Sequence, residues 1–184
     1  RSENPAVQSG FVTFEDIPRL LKTGEMDLCC CGAAFEDPAL SRMTVAKERV
    51  FWGVPERSAI AKRGYITQEE THTLTRLGPR DGDQSLFLSA GGECAKGEQI
   101  YANSAYIDSD DMMYLCGCVK QGIGILGMPA FLTASFAMEG VTFVPEKPPG
   151  LLWVVSCYYL ESRLTPPVRR LIREFAKGQG YNGA

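Results

Sequence analysis

Short apolar runs alternate along this chain with segments patterned as helices, and that alternation restricts the fold more than any other feature. The runs cover residues 26–31, 49–54, 123–128 and 151–156, and each has a glycine or proline at one of its ends. Short runs that are apolar at most positions indicate strands buried on both faces of a sheet. Such strands alternating with helices predict an α/β fold with largely parallel sheets.

Helix signals are clearest in three segments. Residues 13–24 carry an apolar stripe that a glycine ends. Asp108 is predicted to cap a second helix, whose apolar residues recur at helical spacing up to Gly122. Thr165 is predicted to cap the last helix, with Pro166 at its first position.

The remaining segments give weaker signals. Residues 33–48 show no clear period, and residues 56–80 are polar and fit a crossover segment. Residues 83–91 are predicted to form a short helix, and residues 99–101 a short strand. Residues 130–139 predict a further helix.

The charge balance argues against a nucleic-acid interface within these residues. The formal net charge is −3, whereas DNA-binding surfaces cluster Lys and Arg because phosphate neutralisation drives the affinity. The nearest cluster is Arg169, Arg170 and Arg173, which we interpret as the solvated face of a helix. No stretch approaches the ~20 apolar residues of a membrane span, and no export leader opens the sequence.

Three of the seven cysteines are consecutive, at Cys29–Cys31. Successive residues of a strand point to opposite faces, so these three bridge one another poorly. We interpret the cysteines as reduced, small, buried side chains, which implies a reducing cytoplasm.

The sequence contains no arrangement typical of a catalyst. His72 is the single histidine, and its polar surroundings predict a surface position, which argues against a His-based triad. Cys116 and Cys118 are two residues apart on a helix and do not share a face, which favours core packing. Capping explains Asp108 and Asp111 without a metal ion. We therefore predict no catalytic residue, cofactor or metal.

Two local features of the sequence allow both a structural and a functional interpretation. The first is the predicted helix N-terminus at Asp108 and Ser109, where exposed backbone N–H groups would attract an anionic ligand. Alternatively, the Asp108 carboxylate itself accepts hydrogen bonds from those N–H groups. Glycines at 122, 124 and 127 follow a helix and enter a strand, an order that does not fit a dinucleotide loop. We interpret them as a tight turn and close backbone packing.

Four segments, residues 20–28, 48–55, 108–129 and 148–175, together resemble the effector-binding domain of LysR-type transcriptional regulators. The third is the most specific, because an Asp-Ser pair and a helix lead into Gln-Gly-Ile-Gly-Ile-Leu-Gly-Met-Pro. The resemblance implies a type II periplasmic-binding-protein-like fold, in which two Rossmann-like lobes are joined by two crossover segments. We expect an effector to bind in the cleft between the lobes.

The resemblance also implies the domain limits. Lobe I would contain residues 1–54 and 149–184, and lobe II residues 55–148. The family's lobe I opens with a strand and a helix, whereas residues 1–7 resemble the end of that helix and the entry to the second strand. We therefore expect that this chain lacks the first strand and helix, and that the natural protein carries them upstream.

By this resemblance, the residues expected to line the cleft are Cys31, Gly32, Leu77, Gly78, Tyr106, Asp108 and Ser109. A cysteine at position 31 could tune the pocket or respond to oxidation, although an inert thiol is favoured.

The predicted function is that of an effector-sensing regulatory domain that binds a small, anionic metabolite to control transcription. Family members are cytoplasmic homodimers or tetramers that contact DNA only through a helix-turn-helix domain, which these residues do not include. A periplasmic-type solute-binding protein is the first alternative, which apparently reduced cysteines argue against. An enzyme on a related two-lobed fold is the second, which the lack of a histidine-based site argues against.

Overall fold

The computed structural model describes residue 10, residues 12–79 and residues 84–178. The expected helix remnant at residues 1–7 therefore lies outside the described residues. None of the described helices is long and apolar enough to cross a membrane.

The chain divides into two compact units. Unit 1 contains residues 1–31, 35–46 and 155–184, and unit 2 contains residues 32–34 and 47–154. The lobe boundaries that the sequence suggests stay a prediction.

Helices and strands alternate through the described residues, as the sequence pattern predicts. The α-helices are α1 (Ile17–Thr23), α2 (Ala59–Arg63), α3 (Gln68–Thr73), α4 (Gly97–Ile100), α5 (Met112–Lys120) and α6 (Pro166–Gly178). The strands are β1 (Cys29–Cys31), β2 (Ser41–Pro55), β3 (Arg76–Gly78), β4 (Leu86–Leu88), β5 (Cys94–Lys96), β6 (Tyr106–Asp108), β7 (Ile125–Pro129), β8 (Val141–Pro145) and β9 (Leu152–Tyr159). Short 3₁₀ helices cover Ala130–Phe136 and Glu161–Arg163.

Unit 1 is built around the antiparallel pairing of β1 with β9. Its core joins one face of α1 to this pair, because Ile17 and Leu21 are buried with Cys29 and Tyr158. Gly24 ends α1 in the left-handed conformation with a φ of 82°, as the sequence predicts.

A disulfide in unit 1 corrects the prediction that all the cysteines are reduced. Cys30 lies opposite Cys157 in the β1–β9 register, and the two sulfur atoms are bonded. Sequence spacing excluded bonds between adjacent cysteines, but it gave no sign that a cysteine of a distant strand would face Cys30.

Unit 2 contains a mixed sheet with the strand order β5-β4-β9-β2-β7-β3-β6, and β8 also pairs with β2. β3 pairs in parallel with β6 and with β7, whereas the pairings of β1 with β9, β2 with β7 and β8, and β4 with β5 and β9 are antiparallel. The expectation of largely parallel sheets is therefore wrong. Strands that follow one another through short turns, such as β4 and β5, can pair only antiparallel.

The apolar side chains of unit 2 form two separate cores. One contains Trp52, Tyr101 and their buried neighbours from β2 and β4, packed against α2. The other joins Leu115 and Val119 of α5 to Leu126 of β7. This arrangement buries the periodic face of α5 that the sequence indicates.

Three segments differ from their predicted structure. The segment predicted as a helix at 83–91 contains β4, because its apolar residues pair with β5 and β9 on either side. The segment predicted as a strand at 99–101 overlaps α4, where the Gln99 side chain accepts a hydrogen bond from the Lys96 N–H at 3.0 Å. The aperiodic segment 33–48 contains the first half of β2, whose polar residues hid its extended conformation.

The Cys30–Cys157 bond allows a direct test in protein prepared without reductant. We expect Cys157→Ser to lower the free energy of unfolding by about 3–5 kcal/mol, because a crosslink across a long loop reduces the entropy of the unfolded chain. The bonded residues are 127 positions apart. Urea denaturation measures the change, with Cys94→Ser as the control because that thiol is exposed and free. Equal stability of Cys157→Ser and the unmodified chain would contradict the bond.

Candidate functional site

A small cavity in unit 2 lies where the carboxyl end of β3 meets β2, β7 and β9. Its volume is about 30 Å³, which is room for about two water molecules. Aromatic rings form much of its wall. The lining residues are Val50, Trp52, Arg76, Leu77, Gly78, Pro79, Phe87, Tyr101, Tyr106, Gly127 and Trp153.

Gly78 lets a tyrosine ring lie across the end of β3. A Cβ atom at Gly78 would collide with the Tyr106 hydroxyl, and that hydroxyl donates a hydrogen bond to the Pro79 carbonyl at 2.8 Å. The absence of a side chain at Gly78 therefore leaves room for the Tyr106 ring in the cavity wall.

Two further glycines face the cavity's tryptophans. A Cβ atom at Gly32 would collide with the Trp153 indole nitrogen, and one at Gly127 would approach the Trp52 ring to 3.0 Å. Gly127 is also the direct cross-strand partner of Trp52 in the β2–β7 pairing. The prediction of close packing at Gly127 is thus confirmed, and its physical cause is an indole ring.

Arg76 is the charged residue of the cavity wall. It is only 6% exposed, and its Nε donates a hydrogen bond to the Ser104 hydroxyl at 2.7 Å. The guanidinium carbon lies 4.2 Å from the centre of the Tyr101 ring and 5.1 Å from that of Tyr106. Contact with the faces of two rings stabilises a cation that has lost most of its hydration.

Tyr101 connects the cavity wall to the core behind it. Its ring makes edge contacts with Trp52 at 5.8 Å, Phe87 at 6.0 Å and His72 at 5.4 Å between centroids. The polar neighbours of His72 in the sequence predict a surface position, and the structure shows that this prediction is wrong. His72 is half-buried, because α3 turns it toward Tyr101, and its Nε2 atom has no hydrogen-bond partner within the described part of the chain.

A buried carboxyl group lies behind Trp52. The Trp52 indole N–H donates to Glu146 Oε2 at 3.4 Å, and Glu146 is only 3% exposed. Its other oxygen has no hydrogen-bond partner among the described residues. Burial raises the pKa of Glu146, and the hydrogen bond from Trp52 opposes part of that rise.

The structure brings most of the sequence-predicted site residues to this region. Leu77, Gly78 and Tyr106 line the cavity, and Gly32 borders the Trp153 ring. The Ser109 N–H donates to the Gly78 carbonyl at 3.1 Å. Their role in binding a ligand stays a prediction.

The two other predicted site residues do not line the cavity. Asp108 is the exposed last residue of β6 and pairs with Gly78. Cys31 belongs to unit 1, where it pairs with Ser156 of β9.

The N-terminus of α5 differs from its prediction. Asp111, not Asp108, is the capping residue, and its Oδ1 accepts hydrogen bonds from the Met113 and Tyr114 N–H groups at 2.9 and 3.1 Å. Asp108 cannot cap because β6 holds it in an extended strand before the turn. The cap satisfies two of the helix's first N–H groups within the chain, which weakens the case for an anion there.

Sequence reasoning missed the residues that give the cavity its chemistry. Arg76 lies within a polar segment that suggested only a crossover, although an arginine that begins an apolar tripeptide was an available signal. Trp52 and Trp153 were assigned to buried strands without regard to where their rings point. Strand patterns locate a residue on a face, but they do not show which distant rings it meets.

A second depression in the surface is larger than this cavity but has an uncharged lining. Its volume is about 280 Å³, and none of its lining residues is charged. It lies at the opposite end of β3, beside Thr75 and Gly124. Within the part of the chain that the structure describes, no group of three or more histidine, cysteine or acidic residues could hold a metal ion.

Comparison with known proteins gives a consistent result. The family model described as the LysR substrate binding domain matches residues 1–179. No curated protein sequence matches this chain. Among solved structures, the oxidised form of OxyR aligns with a TM-score of 0.68 at 16% identity, covering 94% of this chain and 81% of that one.

Two structures of BenM are also similar. Full-length BenM aligns with a TM-score of 0.71 at 16% identity, covering 94% of this chain and 57% of that one. The BenM effector-binding domain with its effector benzoate aligns at 0.67 and 14% identity, covering 94% and 79%. This chain thus spans little more than half the length of full-length BenM.

The α/β fold is the type II periplasmic-binding-protein-like fold of these structures. The chain belongs to the family of LysR substrate-binding domains, since the family model covers nearly all of it. The resemblance found in the sequence is therefore confirmed. The family is regulatory rather than catalytic, and its members are the effector-sensing domains of transcription regulators.

Glu146 gives the domain a stability that depends on pH. A carboxyl group whose pKa is higher in the folded state stabilises the fold below its unfolded pKa, and that stability is lost as pH rises through the folded value. The pKa of Glu146 is raised from its ordinary 4.5. We therefore expect the chain to lose stability relative to Glu146→Gln as pH rises above about 4.5.

Chemical denaturation of both proteins between pH 4 and 8 measures this difference. Glu93→Gln is the control, because Glu93 is exposed. The difference in unfolding free energy between Glu93→Gln and the unmodified chain should not change with pH in the same way. A difference between the unmodified chain and Glu146→Gln that is constant with pH would refute the assignment.

Proposed function

We propose that this domain senses a small carboxylate whose charged group binds in the cavity of unit 2 beside Arg76. The observation that carries the proposal is the guanidinium of Arg76, buried to 6% exposure on the wall of an aromatic cavity. Binding would stabilise one conformation of the domain and so shift the populations available to the whole regulator.

Electrostatics support the choice of an anion. A cation in surroundings of low polarity interacts with a ligand charge more strongly than it would in water. A guanidinium carries several N–H donors in a plane, which match the two oxygen atoms of a carboxylate, and one of those donors of Arg76 binds the Ser104 hydroxyl. This attraction differs in origin from the one predicted at the N-terminus of α5.

The cavity's size supports a small charged group. Its volume of about 30 Å³ is close to that of about two water molecules, and a carboxylate presents two oxygen atoms. The rest of a metabolite would extend past the mouth of the cavity. The uncharged depression beside Thr75 offers no comparable attraction for an anion.

The rest of the regulator's function follows as part of the same proposal. We propose that the complete protein is cytoplasmic, assembles as a homodimer or tetramer, and controls transcription through a DNA-binding domain outside these residues. We propose no catalytic role for the domain. A periplasmic-type solute-binding protein is not favoured, because the family that the chain belongs to is one of transcription regulators.

Calorimetry with a panel of small carboxylates and their uncharged amides tests the charge. The BenM domain's benzoate makes benzoate a reasonable first probe. We expect Arg76→Met to weaken carboxylate binding at least about tenfold, which is the scale of one lost charged hydrogen bond. Arg170→Met, an exposed arginine on α6, is the matched control and should leave binding unchanged.

Circular dichroism of Arg76→Met would show that the fold is intact, and Arg76→Lys should recover part of the affinity because it restores the charge. Amides that bind as tightly as their acids would refute the proposal.

A further inference from the structure

We infer that the carboxylate detected at this cavity carries a flat aromatic ring. This inference rests on the proposed function, because it concerns the part of the ligand that lies beyond the charged group. It extends that function from a charge to a chemical class, the aromatic carboxylic acids.

The composition of the cavity wall is the first observation. Two phenols, two indoles and a phenyl ring line a space of about 30 Å³. The chain contains only two tryptophans, and both lie on this wall. Three of these rings, Trp52, Phe87 and Tyr101, are buried in the core behind the cavity.

The exposure of the other two rings is the second observation. Tyr106 and Trp153 are half-buried, so each presents part of its ring outside the core. Gly78 and Gly32 lie against them, since a Cβ atom at either glycine would collide with the ring. The absence of side chains at these two glycines therefore leaves room for both rings.

The position of the charge is the third observation. The Arg76 guanidinium lies 5.1 Å from the centre of the Tyr106 ring, and Trp153 packs on Phe87 with 5.1 Å between ring centroids. Arg76 and the two half-buried rings therefore lie on the wall of the same cavity. Aromatic pairs prefer offset or edge contacts at such separations.

A flat unsaturated ring would use this wall better than a saturated one of similar size. It can lie offset on an indole or meet a phenol by its edge, and these contacts add to the burial of apolar surface. A puckered aliphatic ring gains the burial alone. The expected preference is about tenfold in affinity.

Four probes separate the ring from the charge: benzoate, benzamide, cyclohexanecarboxylate and cyclohexanecarboxamide. Calorimetry gives each affinity, and quenching of tryptophan fluorescence shows binding near the cavity, because both tryptophans line it. We expect benzoate to bind about tenfold more tightly than cyclohexanecarboxylate and to quench the fluorescence.

Variants of Trp153 locate the contact. Trp153→Phe should keep most of the preference for benzoate over cyclohexanecarboxylate. Trp153→Leu should abolish that preference by weakening benzoate binding, while cyclohexanecarboxylate binding changes little. Phe131→Leu is the matched control, because that ring is 57% exposed and lies away from the cavity wall.

The outcomes distinguish this inference from the proposed function. Equal binding of benzoate and cyclohexanecarboxylate, with neither amide bound, overturns the aromatic class and leaves the carboxylate proposal standing. Equal binding of benzoate and benzamide overturns the carboxylate proposal and, with it, the class of aromatic carboxylic acids that rests on it. Binding of none of the four at millimolar concentration overturns the aromatic inference.

Discussion

The pairing of Trp52 with Gly127 across β2 and β7 is the contact on which the rest of unit 2 depends. It places an indole ring against a strand that has no side chain at that point. The ring also contacts Tyr101 and donates a hydrogen bond to the Glu146 carboxyl group. A side chain at 127 would press on this ring and force it to shift within a closely packed core.

Much of the fold was predictable because its signals are local. The stripe of α5, the glycine that ends α1 and the apolar runs of β7 and β9 all appear in short windows of sequence. Errors arose where pairing with distant strands decided the structure. Leu86–Leu88 became a strand because β5 and β9 lie on either side of it, and no window around those residues contains that information.

The candidate site was predictable only in outline. Leu77, Gly78 and Tyr106 lie together because β3 and β6 are parallel neighbours, and the family resemblance had placed all three in one cleft. The group proposed to attract an anion is not the helix N-terminus that the sequence suggested. Asp111 takes the helix N-terminus that was a possible anion site, and the cation is a side chain, Arg76, brought into the wall by the same strand as Leu77.

Strand β1 has one further consequence, for sulfur chemistry. Alternation places Cys30 on one face, where it bonds to Cys157, and Cys29 and Cys31 on the other. A hydrogen bond with Cys31, together with burial, raises the pKa of the Cys29 thiol well above its usual range. A protonated thiol is a poor nucleophile, and Cys29 also faces away from the disulfide, so both its protonation and its position disfavour exchange with that bond. Three consecutive cysteines thus coexist in two oxidation states.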